Sequence, residues 1–236
     1  MNKEIPWIRI FAEGGAIVVS ILLAFAIDAW WEDRRDASRQ RTQLESLLGE
    51  TAEAGQLLER QLGILENSLS GTLNIIQSMG PDASTADVQA VKNSIRTSFN
   101  IGVLTPPQSV LQEVLATQGA GRFPDLDLYS NLQRWSSLMS DIENDARLLD
   151  RNREEDFLQA LIRLEIPLSN LLRSGDFFGD RANGFNVDPT KMLRDPAIDT
   201  VFAMRVIRFR VLIESHAEAI GIAEELRAEL EQILQD

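Results

Sequence analysis

The sequence lacks cysteine and has very little histidine or tyrosine. Its 236 residues include no cysteine, one histidine and one tyrosine. The absence of cysteine excludes disulfide bonds, thiolate metal sites and thiol nucleophiles. A single imidazole removes most of the groups on which general acid–base and zinc chemistry depend. No nucleophile–base pair, metal-ligand spacing or phosphate-binding glycine loop is present either, so we predict no enzymatic activity, no cofactor and no metal site.

Basic residues are fewer than acidic ones, 23 against 36, so the formal net charge is −13. Almost all of this charge lies beyond residue 31, since residues 1–31 sum to −1 from Lys3, Glu4, Arg9, Glu13 and Asp28. An acidic surface repels phosphate backbones, which excludes nucleic acid as an expected partner. The length and a hydrophobic content of 44% allow one domain of about 200 residues plus an anchor.

One predominantly apolar segment lies near the N-terminus. From Ile10 to Trp31 its only charged residues are Glu13 and Asp28, and the uninterrupted part, Gly14 to Ile27, has 14 residues. As a helix this part spans about 21 Å, whereas the hydrocarbon core of a bilayer is about 30 Å thick. The apolar residues on either side must therefore extend the span.

Tryptophans mark both ends of this segment, with Trp7 before it and the pair Trp30 and Trp31 after it. Such residues form the aromatic belt at a membrane surface. We therefore predict an all-α protein in which residues 1–36 form a single-pass transmembrane anchor in the lipid bilayer and residues 37–236 form a helical bundle. Two alternatives stay open: a cleaved signal peptide with Ala24-Phe25-Ala26 as its processing site, and a hydrophobic helix buried in a soluble protein.

Small residues recur at every fourth position of the segment, namely Ala12, Ala16, Ser20 and Ala24. Small side chains let two helices approach closely, which is a main source of helix association in lipid. This row predicts a packing face for a second copy of the chain or for another membrane protein. The alternative is that small residues occur here by chance.

Two acids lie within the segment. Glu13 and Asp28 are 15 residues apart, which places them within about 60° of one another on a helix. Carboxylates inside a membrane often serve an ion or proton pathway. The alternative is that both lie at headgroup depth, where an acid costs little. The side of the membrane that holds the bundle is undetermined, because basic residues flank both ends of the segment.

The bundle is predicted to contain three long helices, at about 37–79, 125–165 and 196–235. The first carries a coiled-coil seam and has no proline break from the anchor, so the two are expected to form one rod. That seam consists of Leu44, Leu48, Thr51, Gly55, Leu58, Leu62, Leu65, Leu69, Thr72 and Ile76. The second repeats Leu128, Leu132, Trp135, Met139, Ile142, Ala146 and Leu149, then resumes at Phe157 after a charged run that is either a solvated face or a break.

Two short helices are predicted at about 85–98 and 106–117. Ser84 and Asp87 give the first an N-cap pattern, and Thr105 with Gln108 gives the second a capping box around two prolines. Asp195 is expected to cap the last helix, where His216 falls on the apolar seam as a core residue or, alternatively, as a pH sensor. Residues 174–195 are predicted to be an irregular connector, with a partner-binding loop as the alternative.

The chain resembles a bacterial family of unknown function whose members are short, N-terminally anchored helical proteins. The resemblance lies in the acid, apolar run and tryptophan pair of residues 13–33, and in the short helix, small-residue turn and leucine-rich helix of residues 105–135. Gly119-Ala120-Gly121 replaces the Ser-Gly turn expected there. The resemblance implies an all-α membrane-anchored protein and supplies no activity or catalytic residues. We expect the membrane to be the bacterial inner (cytoplasmic) membrane.

These features favour a structural or interaction protein that either self-associates or serves as an accessory subunit of a membrane complex. The alternatives are a sensory or ligand-binding bundle, since helical bundles bind small molecules between their helices, and an ion-pathway subunit that uses Glu13 and Asp28.

Overall fold

A computed structural model describes residues 7–83, 88–102, 106–117, 126–168, 171 and 188–235, with only the backbone described for residues 7–17 and 189. Every regular element in these ranges is helical, which confirms the all-α prediction. The elements are α1 (Trp7–Gln77), α2 (Val88–Ser98), α3 (Ser109–Thr117), α4 (Leu126–Arg151), a π-helical turn (Asn152–Phe157), α5 (Leu158–Arg163), a 3₁₀ helix (Pro189–Arg194) and α6 (Pro196–Gln235).

Helix α6 runs antiparallel to both α1 and α4 and packs against both. Against α1, Arg41 Nη2 donates to Leu234 O at 3.3 Å, and a Cβ built on Gly55 lies 3.6 Å from the Ala223 Cβ. Against α4, the Asn131 amide donates to the Glu229 carboxylate at 2.9 Å, and Arg205 Nη1 donates to Leu149 O at 3.3 Å. Among contacting residues, the residue number therefore decreases along α6 as it increases along α1 or α4. Helices α1 and α4 are thus parallel to each other.

Helix α1 contributes an unbroken heptad row to the core. Its buried members are Leu44, Leu47, Thr51, Ala54, Leu58, Gln61, Leu65, Ser68, Thr72 and Ile75. Every second member of the predicted seam belongs to this row, but the other five (Leu48, Gly55, Leu62, Leu69 and Ile76) are only partly buried. Leu48, Leu69 and Ile76 still pack against the core from its edge. The pattern missed Gln61 and Ser68 because hydrogen bonds to the backbone carbonyls of residues 100–102 satisfy these polar side chains in the core.

The charged run after α4 is a π-helical turn and not a break. Leu149 and Phe157 are both buried although they lie eight positions apart, and eight α-helical steps would leave them about 80° apart on the helix surface. A π-helical turn accommodates one extra residue, which reduces that angle to about 20°. The turn therefore returns Phe157 to the face that α4 buries.

Helix α5 ends in a Schellman motif before Pro167. Ile166 N donates to Leu161 O at 2.9 Å, and Glu165 N donates to Ile162 O at 3.0 Å. Glu165 has φ = 56°, the left-handed conformation that this motif requires and that glycine usually provides. The helix thus ends where Pro167 predicted that it would bend or end.

The first residue of α3 is Ser109, three residues later than predicted, and its cap comes from another helix. Gln112 N donates to Gln108 O at 2.9 Å, which makes Gln108 the N-cap residue. The free amides of Val110 and Leu111 donate to the Glu50 carboxylate of α1 at 2.8 and 2.9 Å. Glu50 therefore performs the capping role that was predicted for Thr105. Thr105 lies outside the described residues, and so do Ser84 and Asp87, the residues of the N-cap pattern predicted for the preceding helix.

The last helix begins as predicted. Asp195 Oδ1 accepts from Ala197 N at 2.8 Å and pairs with the Arg163 guanidinium at the same distance, so one carboxylate caps α6 and joins it to α5. The predicted irregular connector contains the 3₁₀ helix Pro189–Arg194, which begins at Asp188, where Oδ1 accepts from Thr190 N at 2.9 Å. Phe177, Phe178 and Phe185 of that connector lie outside the described residues.

Candidate functional site

Helix α1 extends well beyond the bundle at its N-terminal end. Each residue from 18 to 39 is exposed, and Leu44 is the first buried one. This stretch, the projecting segment, carries many large apolar side chains between 47% and 66% exposed: Val18, Val19, Ile21, Leu22, Leu23, Phe25, Ile27, Trp30 and Trp31. None of the other described residues buries them, so over residues 18–31 the segment presents apolar side chains around most of its circumference.

All the sequence-predicted site residues lie on this single helix. Ser20, Ala24 and Asp28 are exposed and occupy successive turns of one face. Trp30 and Trp31 pack edge to face with ring centroids 5.5 Å apart, and the Arg34 guanidinium lies 5.6 Å from the Trp30 ring centre. Trp7, Ala12, Glu13 and Ala16 belong to the same helix, but their side chains lie outside the described residues.

Two further structural findings bear on the predictions. Over the residues that the structure describes, none of the helices is both long and apolar enough to cross a membrane. Over the same residues, no group of three or more histidine, aspartate or glutamate side chains is placed to hold a metal ion.

A pocket lies inside the bundle, between α1, α4 and α6. Its volume is about 170 Å³, and apolar side chains form most of its wall, among them Leu65, Met139, Ile142 and Leu212. Gln61 and His216 also line the pocket, as do the charged residues Glu143, Arg147 and Asp150 of α4, and Asp150 is paired with Arg153 at 3.3 Å. The sequence showed no such cluster, because its members come from positions up to 155 residues apart, Gln61 and His216.

The Gln61 side chain is buried, with 6% exposed, and has one unused hydrogen-bonding atom. Its Nε2 donates to the backbone carbonyls of Ile101 and Gly102. Because a carbonyl can only accept, the nitrogen must face the backbone, and this fixes Oε1 as the remaining acceptor. Oε1 has no hydrogen-bond donor among the described residues.

His216 is a core residue with 4% exposed, as its seam position predicted. Its Nδ1 lies 2.7 Å from Leu212 O, which can only accept, so Nδ1 carries the proton and Nε2 of the neutral ring is an acceptor. Burial lowers the pKa of His216 below its usual 6.5, and the hydrogen bond that the ring donates to Leu212 O opposes that shift only in part. The ring is therefore neutral at neutral pH.

Arg205 is a fully buried cation between the two apolar clusters of the bundle. Its Nη2 donates to Ser98 O at 2.7 Å and its Nη1 to Leu149 O at 3.3 Å. The guanidinium lies 4.4 Å from the Phe99 ring centre and 4.9 Å from that of Phe209. No salt bridge in the described part of the chain includes it, so backbone carbonyls and aromatic rings compensate its charge.

Burial, chiefly, and then the nearby Arg153 lower the pKa of Arg205 to about 9, while Asp150 raises it. The guanidinium therefore stays charged at neutral pH, and its bonds to the last carbonyl of α2 are charge-assisted. Sequence reasoning missed this residue. The sequence feature that could have indicated a buried arginine is its position between Phe202 and Phe209, where Arg205 interrupts an otherwise apolar heptad row.

Comparisons of the chain with protein-family models, with curated proteins and with solved structures find no match. The function is accordingly inferred from the projecting segment and the bundle.

Proposed function

We propose that this chain is a membrane-anchored interaction protein without catalytic activity. Residues 1–36 insert into the lipid bilayer as a single-pass helix and pair with a second copy of the chain, while the bundle lies outside the bilayer. We expect this bilayer to be the bacterial inner membrane. The observation that carries the proposal is the exposed apolar surface of the projecting segment.

The physical support is the free energy of that surface in water. Exposed apolar side chains rarely form a large continuous patch on a soluble monomer unless the patch binds something. Each large side chain that leaves water contributes about 1.5–3 kcal/mol when fully buried. From Val18 to Trp31, lipid or another protein would bury nine of them.

The charges at the end of the segment support a lipid environment in particular. Trp30 and Trp31 lie beside Arg34, whose guanidinium contacts the Trp30 ring. A tryptophan–arginine arrangement of this kind suits the headgroup region, where an aromatic ring is half solvated and a cation meets phosphate. The segment would then leave the membrane between Asp28 and Arg34.

The small-residue row supports pairing between two anchors. Ser20 and Ala24 are one turn apart on a face that also includes Ala16. In lipid there is no hydrophobic driving force between helices, so close backbone approach across small side chains supplies the association energy.

Membrane insertion is tested by washing membranes that contain the full-length chain with alkaline carbonate. An inserted helix stays in the pellet, and a chain that lacks residues 1–36 appears in the supernatant. Release of the full-length chain into the wash would show that the segment does not insert.

Self-association is tested by extracting the tagged chain in mild detergent and measuring the mass and composition of the particle. A particle that contains two or more copies of this chain alone supports the proposal. A monomer would refute pairing, and a stoichiometric second protein would make the chain an accessory subunit.

The pairing face is tested with two matched substitutions. Ala24→Leu adds bulk to the small-residue row, whereas Ala26→Leu adds the same bulk about 200° away around the helix. We expect Ala24→Leu to shift the particle to a monomer and Ala26→Leu to leave its mass unchanged. Equal masses for both variants and the wild-type chain would exclude this face.

A further inference from the structure

The pocket between α1, α4 and α6 has room for one small ring. Its volume is about 170 Å³, and an engineered apolar protein cavity of about 150 Å³ binds benzene. Its wall includes four buried apolar side chains, which come from all three helices: Leu65, Met139, Ile142 and Leu212. A single-ring molecule would therefore contact apolar side chains on several sides without displacing a helix.

The charged residues of the wall do not favour an ion of either sign. Glu143 and Arg147 are exposed residues of α4 with opposite charges. The third charged residue, Asp150, is paired with Arg153 at 3.3 Å. Because these charges sum to zero, no net field compensates the hydration that an ion would lose on entering the pocket. The wall therefore favours an uncharged ligand.

The His216 ring offers one hydrogen-bond acceptor that a ligand can reach. Its Nδ1 holds the proton, which it donates to Leu212 O, so Nε2 is the acceptor. Nε2 has no donor among the described residues, and unlike Gln61 Oε1 it is not one of the unpaired atoms that the protein encloses completely. Since the His216 side chain is only 4% exposed and lines the pocket, the accessible surface of Nε2 lies in the pocket.

We propose that this pocket binds a small uncharged molecule that consists of one apolar ring and one hydroxyl group. The ring packs against the apolar wall, and the hydroxyl donates to His216 Nε2. A neutral hydroxyl supplies the one donor that the wall can use and brings no charge. This binding function is separate from membrane association, because every residue involved belongs to the bundle.

Four probe molecules of similar size separate the contributions. Phenol carries the ring and the hydroxyl, toluene carries the ring alone, and benzylamine and benzoate carry the ring with a positive or a negative charge. Toluene leaves Nε2 unpaired, and the loss of one hydrogen bond is expected to weaken its binding about ten-fold relative to phenol. Both ions lose hydration in a pocket without net charge, so each is expected to bind at least ~10-fold more weakly than phenol.

The experiment uses the full-length chain in mild detergent with histidine that carries ¹⁵N in its ring. The sequence contains one histidine, so both ring signals belong to His216 without assignment, and empty micelles correct for partitioning of each probe. We expect phenol to shift the Nε2 signal saturably, because Nε2 accepts the hydroxyl proton in a hydrogen bond. An unsaturable response to phenol, or an affinity for toluene or either ion equal to that for phenol, would overturn the proposal.

Substitutions connect the signal to the pocket. Ala146→Leu adds bulk from the wall and is expected to weaken phenol binding at least ~10-fold, whereas Ala228→Leu adds it on the exposed face of α6 and is expected to have no effect. His216→Phe keeps a ring and removes the acceptor, so equilibrium dialysis should find no preference for phenol over toluene. A retained preference in that variant refutes the proposal, and if neither pocket variant folds, the wild-type titrations decide alone.

Discussion

Gly71 is the residue at which α1 and α2 approach too closely for a side chain. A Cβ built there would lie 2.9 Å from Ser94 O, 3.0 Å from Ser98 N and 3.0 Å from the Thr97 Cβ. Two of these neighbours are backbone atoms, so α2 itself would have to move. The movement would also pull Ser98 away from Arg205, to whose guanidinium it is bonded.

We therefore expect Gly71→Ala to destabilise the protein by about 1–2 kcal/mol, because the strain of overpacking exceeds the gain in helix propensity. Gly63→Ala is the matched control, since nothing lies within 4 Å of a Cβ built there. It should stabilise the same helix by about 0.5–1 kcal/mol. Denaturant unfolding of both variants measures the difference, and equal effects at the two sites would contradict the close crossing.

His216 makes stability depend on pH in a defined direction. Its pKa in the folded chain is lower than 6.5, so the unfolded state binds the proton more readily. The folding free energy that its neutral form contributes is complete above about pH 6.5 and is lost as the pH falls from there to the lowered pKa. The charged side chains across the pocket are Glu143, Arg147 and Asp150 of α4, while α1 contributes the uncharged Gln61.

Comparison of the wild-type chain with His216→Leu isolates this contribution, because other titrating groups are common to both. We expect the stability of the wild-type chain, relative to the variant, to decrease as the pH is lowered from 7 to 5. Denaturant midpoints at several pH values measure the decrease. Parallel pH profiles for the two chains would mean that the histidine titrates alike in the folded and unfolded states.

At the scale of helices, the start of α3 depends on a side chain from α1. The Glu50 carboxylate accepts from two backbone amides of α3 and from the Ser109 hydroxyl. A carboxylate at this place satisfies free N–H groups and interacts favourably with the helix dipole.

Glu50→Ala is accordingly expected to cost about 1–2 kcal/mol of folding stability. Glu53→Ala, an exposed acid one turn later on α1, is expected to change stability by less than about 0.5 kcal/mol. Urea denaturation of the two variants separates them. A loss at Glu50 no greater than that at Glu53 would show that α3 does not need this cap.

The π-helical turn predicts an unusual tolerance to deletion. Removing the exposed Glu154 takes away the extra residue, so an ordinary α-helix would keep both Leu149 and Phe157 in the core. Removing the exposed Asp141 from α4 rotates Ile142 and Leu149 out of the core by about 100°.

We expect the Glu154 deletion to fold with cooperative unfolding and little loss of stability. The Asp141 deletion should lose about 3 kcal/mol or more, since two large buried side chains are misplaced. Circular dichroism during thermal unfolding compares the two. Equal losses would mean that the π-helical turn is needed for another reason than register.

The helices and several of their ends were predicted correctly from the sequence, whereas the contacts between different helices were predicted less well. The row from Leu128 to Leu149, the cap at Asp195 and the end before Pro167 could be predicted, because each depends on neighbours within a few residues. Glu50 and Arg205 could not, since their partners lie 60 and 107 residues away along the chain. The same reason explains why Gln61 was not recognised as a core residue or a pocket residue.

At the scale of the whole molecule, the bundle is expected to fold without its anchor. The residues of α1 before Gln40 bury no side chain against the bundle among the described residues. A chain of residues 37–236 should therefore retain the unfolding midpoint of the full-length protein. It also keeps only one tryptophan, the buried Trp135, whose fluorescence reports directly on the core. A clearly lower midpoint would show that the projecting segment supports the bundle.

Because α1 is one continuous helix, the directions in which side chains point at its two ends are fixed relative to each other. Ala24 and Leu44 are 20 residues apart on one uninterrupted helix, so the small-residue row points about 160–170° away from the seam that packs against α6. If two parallel chains pair through that row, their bundles stand on the outer sides of the two-fold axis and do not collide. Such a dimer would be broad, with the two α1 helices next to the axis and the two α6 helices facing away from each other.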